Sequence, residues 1–510
     1  MAYAQIAGLP AYIGLFAGAI PPIAAALFAS SPFLQTGPGA LTSLMTFGAL
    51  AGHAAPFSPE WVRLAALLAL IVGVVRFALG ITRLGGVAYL MSQPVLTGFT
   101  TAAAILIAAS QLPRVLGAEP SDAGVLREAF DALIAPNDWS PIAILLGTLT
   151  LVMMLGGKML SSWFPGVLIA VIFGVIYSDI SGYTGETVGS LPGDFISLNL
   201  DFEWGAVGGL LIPGMVIAVV GFAEPASIAR TYAAIDRTPW SADREMLGQG
   251  VANLASAFSG AFPVGGSFSR SSLNRFAGAK TAWSGAITGL AVLATLPLSP
   301  LLEKLPRAVL AAIVLGSVVK LIRLDLLIKL SGQSVMQALV AIGTAVATML
   351  ASPHVERGLL VGIALSIAAH LYREMQIVYR TKVTGDDNNV LRIEPRGVVW
   401  FGSTPNLERT LAQTLAENPQ VTELVLDVAG VGRIDYTGAV AFQRLIDDAE
   451  AAGLEVRIEH MSKNAHRALG VLMDGTHGVE PVPKAHANPL MTKAKKIFEK
   501  KEGDFPSRRS

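Results

Sequence analysis

Pro263–Ser272 is a polar, glycine-rich break in a chain otherwise built from apolar runs. Gly265 and Gly266 free the backbone, and Ser267 or Ser269 can cap a helix start. Open amide N–H groups and the positive end of the helix dipole then point outward, an arrangement that binds anions. Ser269 and Ser271 would add amide and hydroxyl donors, and Arg270 would add positive potential. An arginine at membrane depth is costly unless paired or bathed in water, which marks it as functional; the plainer alternative is a helix start whose arginine reaches a carbonyl. Far upstream, Leu34–Ser43 repeats the device with a polar lead, the break Gly37-Pro38-Gly39 and a short apolar helix. Two interrupted segments, one in each half of a membrane chain, point to a substrate site at the midplane of an inverted-repeat transporter. No Gly-Lys-Ser/Thr follows the glycines, so they are not a nucleotide loop.

Other polar residues in apolar surroundings carry weaker signals. Glu224 ends the apolar run Val216–Ala223, where an ionised carboxylate is expensive; one reading is a structural acid bonded to backbone or to Arg270. Ser227, almost one turn on, can share the same wall. Arg76 lies on a long apolar helix and can snorkel toward Arg83 and the inner surface. His370 closes the last span, where a structural role is favoured over a proton relay. No His, Asp or Glu cluster has metal-ligand spacing, no Ser-His-Asp set can be argued, and no cofactor is implied.

The elements that must position these residues are set by composition. Hydrophobic residues make up 52% of the 510 and charged residues 15%, and mean hydropathy is +0.56. These values describe a polytopic membrane protein. Lysine plus arginine and aspartate plus glutamate each total 37, so net charge gives no reason to expect a nucleic-acid partner. With no cysteine, disulfides, thiolate metal sites and thiol catalysis are excluded. No basic segment followed by a cleavage site opens the chain, so no removable signal peptide is read. Apolar runs fall at Ala11–Ala29, Trp61–Ile81, Val95–Leu112, Pro141–Leu155, Gly166–Ile180, Ala206–Ala229, Ala252–Phe262, Ala282–Leu298, Ala308–Ile322, Gln337–Ala351 and Gly358–Leu371. With the short helices after Gly37 and Gly266 and a stub at Met1–Leu9, they give about fourteen elements. The stub is too short to cross, and an upstream extension of the reading frame is expected.

Arg83, Arg230, Arg237, Arg244, Arg275, Lys280, Arg323, Lys329 and Arg373 gather on the side assigned to the cytoplasm, whereas the stretch with Glu186, Asp194 and Asp201 is acidic and suits an external loop. Both place the C-terminus inside. After residue 380 the composition changes: 381–389, with Gly385-Asp386-Asp387-Asn388-Asn389, reads as a linker, 390–485 as a soluble α/β domain and 486–510 as a lysine-rich tail. Within that domain Val390–Ile393 and Val398–Phe401 alternate like a hairpin, Leu407–Glu417 is helical, and Glu423–Val428 is a buried strand. A helix over Thr437–Ala452, a strand at Leu454–Ile458 and a helix near Lys463–Val471 follow. Asp427 ends a strand and Asp435 can cap a helix; two capping aspartates and a ligand site are equally good readings.

Ala4–Pro10 with Gly14-Leu15-Phe16, then Gln35–Pro38, Glu224, Gly266–Ser271 and finally Ile434–Gly438 resemble, in this order and spacing, the sulfate permease (SulP) family of anion transporters, over nearly the whole chain. The resemblance implies a 7+7 inverted repeat of transmembrane helices over 1–380, with two half-helices, followed by a cytoplasmic STAS domain. It implies an anion held between the third and tenth helices and lined by the first and eighth, at Tyr3, Gly37, Pro38, Gly39, Ser267, Phe268, Ser269, Arg270 and Ser271. It also makes Glu224, with Ser227, a proton- or sodium-coupling site. Two departures stand out: the Leu-Pro-Gln element of the first helix is absent, and Gly39 replaces a residue that is often bulkier. In the STAS domain Asp427, Asp435, Tyr436 and Thr437 form the ligand or regulatory group, with Tyr436 where related domains carry a phosphorylated serine.

These readings converge on a secondary active transporter, not an enzyme, in the cell (inner) membrane, moving a small oxyanion, sulfate first, by alternating access. The expected partners are that anion, a coupling proton or sodium ion, the bilayer, a second copy in a homodimer and a cytosolic protein on the STAS domain. The rival functions are a dicarboxylate or bicarbonate carrier and a non-transporting scaffold or sensor that signals through the STAS domain.

Overall fold

The computed structural model describes residues 1–460 apart from 91, 119–123, 161–163, 190–195, 197, 377 and 386–387. The helix read near Lys463–Val471, the tail 486–510 and Asp194 lie outside the described residues. The chain divides into two compact units, 1–367 and 368–510.

The first unit is helical. Its first seven spans are α1 (Ala2–Ile6), α2 (Ile13–Ala26), α3 (Ala40–Leu50), α4 (Pro59–Ile81), α5 (Gln93–Leu116), and, after a short helix α6 (Val125–Ile134), α7 (Pro141–Leu160) and α8 (Gly166–Ser181). The second seven are α9 (Val207–Asp236), α10 (Ala242–Phe258), α11 (Phe268–Phe276), α12 (Trp283–Thr295), α13 (Arg307–Val318), and, after the short α14 (Leu324–Gln333), α15 (Val335–Leu350) and α16 (Val355–Met375). The two sets form the inverted repeat, and the short α6 and α14 occupy the same place in each, between the fifth and sixth spans. Both carry exposed apolar residues, such as Phe130 and Ile134 on α6 and Ile328 on α14.

Small residues bring the helices together. A Cβ at Gly73 of α4 would lie 2.7 Å from the Leu254 nitrogen of α10, and one at Gly250 of α10 would lie 2.6 Å from the Phe77 nitrogen of α4. The symmetry-related crossing of α12 on α2 has the same form, with Gly289 against the Ala19 carbonyl at 2.3 Å. The closest of these approaches to backbone joins α5 to α15: a Cβ at Gly98 would stand 2.0 Å from the Ala341 oxygen. Gly98→Ala must therefore push the α5 and α15 backbones apart, and we expect it to lower stability by about 1–3 kcal/mol. Thermal unfolding in detergent measures this, and an unchanged midpoint would show that the crossing has slack.

Two expectations for the membrane unit are corrected. The ninth span is α10, which begins ten residues before the apolar run Ala252–Phe262; its first half escaped a hydropathy reading because the face it buries is polar. Arg76 does not snorkel to the inner surface: it is fully buried, with all three of its nitrogens bonded to backbone.

Two two-residue strands, β1 (Thr36–Gly37) and β2 (Gly265–Gly266), pair antiparallel. In the second unit, β3 (Val378–Thr384) runs antiparallel to β4 (Val390–Val399), and β4 pairs in parallel with β5 (Glu423–Asp427) and β6 (Val431–Ile434). The remaining strand β7 (Glu455–Glu459) lies parallel to β5. Among the described residues this unit also holds helices α17 (Thr404–Glu417) and α18 (Tyr436–Ala451), and its core includes Leu391, Ile393, Leu424, Leu426, Phe442 and Ile446. The hairpin read within 390–401 is instead one continuous strand. Its opening stretch, Val390–Ile393, pairs with β5 and its closing stretch, Gly397–Val399, with β6 across a register shift. Pro395, which has no N–H to give, falls where neither β5 nor β6 is paired. Strand β3 also takes in 381–384, the first part of the stretch read as a linker.

Candidate functional site: two half-helix starts joined by a two-residue ladder

Thr36 pairs with Gly266 and Gly37 with Gly265, and just beyond the ladder each chain turns into a helix. The lead is locked further by Ser267 N–H donating to the Gln35 carbonyl at 3.2 Å and Gln35 N–H donating to Ser271 Oγ at 2.9 Å. Ser271 is fully buried, so its hydroxyl oxygen serves to join the two leads. Only glycine suits position 37: its φ is +147°, and a Cβ would approach Arg270 Nη2 to 3.3 Å. Pro38 is buried between the ladder and Gly39, the N-cap of α3.

Gly39 supplies no side-chain cap. The first intrahelical bond of α3 runs from Ser43 N–H to the Gly39 carbonyl at 3.0 Å, and the hydroxyls of Thr42 and Ser43 donate to the same oxygen at 3.1 and 2.7 Å. The N–H groups of Ala40, Leu41 and Thr42 are the open donors of a helix start. At α11, Ser267 is the N-cap and its Oγ accepts from Arg270 N–H at 3.5 Å. Phe268 and Ser269 are exposed at the same end, and Phe268 N–H donates to the Glu224 carboxylate.

Arg270 carries the most specific signal. Its Nε and Nη2 are buried and bonded to no acceptor among the described residues, and buried donors of this kind call for a partner such as water or an ion. Glu224 and Tyr3 both lie within electrostatic reach of this guanidinium, and Tyr3 packs in one apolar cluster with Ala40 and Leu44 of α3. The fold thus gathers Tyr3, Gly37, Pro38, Gly39, Glu224, Ser267, Phe268, Ser269 and Arg270 around the ladder. Ser227 stands apart, with an exposed side chain on α9.

What holds the leads in place was not singled out in the sequence. Glu245, Gln249, Asn253 and Ser256, all fully buried, recur at helical spacing along one face of α10. Glu245 Oε2 accepts from Ser30 N–H at 3.1 Å and Ser31 N–H at 2.7 Å, and Gln249 Nε2 donates to Thr36 Oγ1 at 2.7 Å. Asn253 brackets Val264, accepting from its N–H at 2.9 Å and donating to its carbonyl at 3.1 Å, and Ser256 donates to the Phe262 carbonyl at 2.6 Å. Non-helical backbone at membrane depth needs such internal partners, and α10 supplies them to both leads. The four-four-three spacing of these polar residues was the signal available in the sequence. At its other end α11 is tied down by Arg275, which donates both terminal nitrogens to Asp236 and lies over the rings of Phe33 and Tyr232.

In the second unit, Asp435 caps α18, with Oδ1 accepting from Gly438 N–H at 2.6 Å; Tyr436 and Thr437 are exposed in its first turn. Asp427 is buried. Burial pushes its carboxyl up, but the Arg392 guanidinium, Ala429 N–H and His460 outweigh this and hold it below the usual carboxylate range. Asp427, Glu459 and His460 offer ligand atoms within 4.8 Å of one another. Arg392 already donates to both carboxylates, so the cluster is an ion-pair network centred on a cation of its own.

Residues 1–344 match the sulfate permease family and residues 381–472 the STAS domain. A probable sulfate transporter 4.2 of Arabidopsis thaliana is 28% identical over 91% of this chain and 74% of its own length. A probable sulfate transporter of Mycobacterium tuberculosis is 28% identical over 92% of this chain and 87% of its own. Among solved structures, the murine Solute Carrier 26 family member A9 anion transporter in the inward-facing state superposes with a TM-score of 0.82, at 20% identity, over 92% of this chain and 84% of that one. The transmembrane domain of the cyanobacterial bicarbonate transporter BicA gives 0.61, at 23% identity, over 72% and 92%.

Proposed function

This chain belongs to the sulfate permease family of anion transporters, and we propose that it moves a small inorganic oxyanion, sulfate first, across the cell's inner membrane by alternating access. The observation that carries this reading is the pair of buried, unpartnered Arg270 nitrogens beside the starts of α3 and α11. An oxyanion there accepts from the guanidinium and from first-turn N–H groups together, and charge-assisted bonds of this kind are the strong ones. The ladder joins both half-helices, so the site travels as one body when the helices that carry it rock against the rest. Glu224, already against Phe268 N–H and near Arg270, is the coupling residue in this scheme. The membrane unit serves transport, and the unit whose sheet opens with β3 is a cytoplasmic STAS module that docks a protein partner.

Uptake into proteoliposomes decides among substrates. Sulfate, bicarbonate, fumarate and chloride are offered in turn under imposed proton or sodium gradients. Sulfate should be accumulated fastest, with acceleration by an inward proton gradient. Preference for bicarbonate or fumarate would move the assignment to another anion, and binding without uptake would make the chain a sensor.

A further inference from the structure

Arg76 has no role in the site as described, yet among the described residues it is the one lysine or arginine that is fully buried. It projects from α4 and is fully buried. Its Nε donates to the Ala218 carbonyl at 2.9 Å and its Nη2 to the Ile217 carbonyl at 3.1 Å, both on α9, while Nη1 donates to the Val264 carbonyl at 2.9 Å. Val264 is the residue immediately before β2. No carboxylate pairs with Arg76 among the described residues. The guanidinium lies close behind the first half-helix: the place a Cβ would take at Gly221 is 2.7 Å from Arg76 Nη2 and 3.3 Å from Thr42 Cγ2 in the first turn of α3. Gly221 leaves room for it.

A guanidinium remains charged in proteins, and a buried charge is ordinarily paired because isolation from water is expensive. Here the partners are carbonyl dipoles, which satisfy the hydrogen bonds but leave the net positive charge in place. We infer that Arg76 is a second, permanent source of positive potential for the anion site and favours doubly over singly charged anions, while holding α9 and the lead of α11 in register. Arg270 then contacts the anion, and Arg76 acts from behind the half-helix starts without touching it. This inference rests on the anion site proposed above. It explains why a membrane span accepts an arginine with no acid to neutralise it: the missing counter-charge arrives with the substrate.

The test compares the full-length chain with Arg76→Gln and Arg76→Lys, measuring Kd for sulfate and for chloride by calorimetry in detergent. Glutamine removes the charge and keeps a donor for the carbonyls; lysine keeps the charge and cannot reach all three. The expected result is that Arg76→Gln lowers the preference for sulfate over chloride roughly tenfold, as loss of a nearby unit charge acts more strongly on the dianion, while Arg76→Lys keeps it. An unchanged preference in Arg76→Gln overturns the inference and leaves Arg76 a structural tie. Should Arg76→Gln not fold, Arg76→Lys decides alone: a kept preference supports the charge, and a lost one assigns the effect to the carbonyl clamp. A wild-type chain that binds neither anion would defeat the site itself, a separate outcome.

Discussion

Arg270→Ala should weaken sulfate binding tenfold or more. The side chain presents Nε and Nη2 to a place where no group among the described residues accepts from them, so those bonds are free for the anion and vanish with the guanidinium. A hydrogen bond to a charged group contributes roughly 1.5–3 kcal/mol, and about 1.4 kcal/mol is a factor of ten. The substitution removes little that the fold uses: Ser267, Ser271 and Gln35 hold the α11 start through backbone and hydroxyl bonds that do not involve the arginine side chain. The variant should therefore purify as a folded protein with its anion affinity reduced. Calorimetry in detergent gives the comparison. Unchanged affinity in a folded protein would place the anion elsewhere.

Glu224→Gln should separate binding from coupling. In the structure Glu224 lies against Phe268 N–H and within electrostatic reach of Arg270, the same donor and charge that the anion is proposed to use. A dianion entering beside this carboxylate meets like charge, and a proton carried on Glu224 removes the repulsion. The two ligands are then linked, each favouring the other, which is the thermodynamic form of symport. Glutamine keeps the shape and holds the neutral form permanently. The variant should still bind sulfate and exchange one anion for another, but uptake should lose its acceleration by an inward proton gradient. Uptake into liposomes against external pH, for wild type and variant, measures this. A variant that retains the whole gradient dependence excludes Glu224 as the coupling residue, and loss of sodium dependence instead would reassign the position as a cation ligand.

The sequence by itself determined the class of protein and the two places where short helices follow a break. Those features are local. Hydropathy reports a membrane span from its own residues, and Gly37-Pro38 and Gly265-Gly266 announce a break wherever they lie, so α3 and α11 were legible together with the α/β character of the second unit. Only the tertiary structure decided how the breaks meet. Gln35 and Ser271 are 236 residues apart and share one hydrogen bond, a pairing that no local pattern encodes. The same cause hid the first half of α10 and the direction of Arg76. Polar side chains at membrane depth read as surface when judged by composition, yet Glu245, Gln249, Asn253 and Arg76 are buried because the irregular leads beside them present backbone groups that water cannot reach. In the second unit Val390–Ile393 and Val398–Phe401 read as two strands of a hairpin, whereas one strand runs from Val390 to Val399 because β5 and β6 take successive stretches of one edge. Register and burial of this kind belong to partners distant in the chain, and the fold alone brings them together.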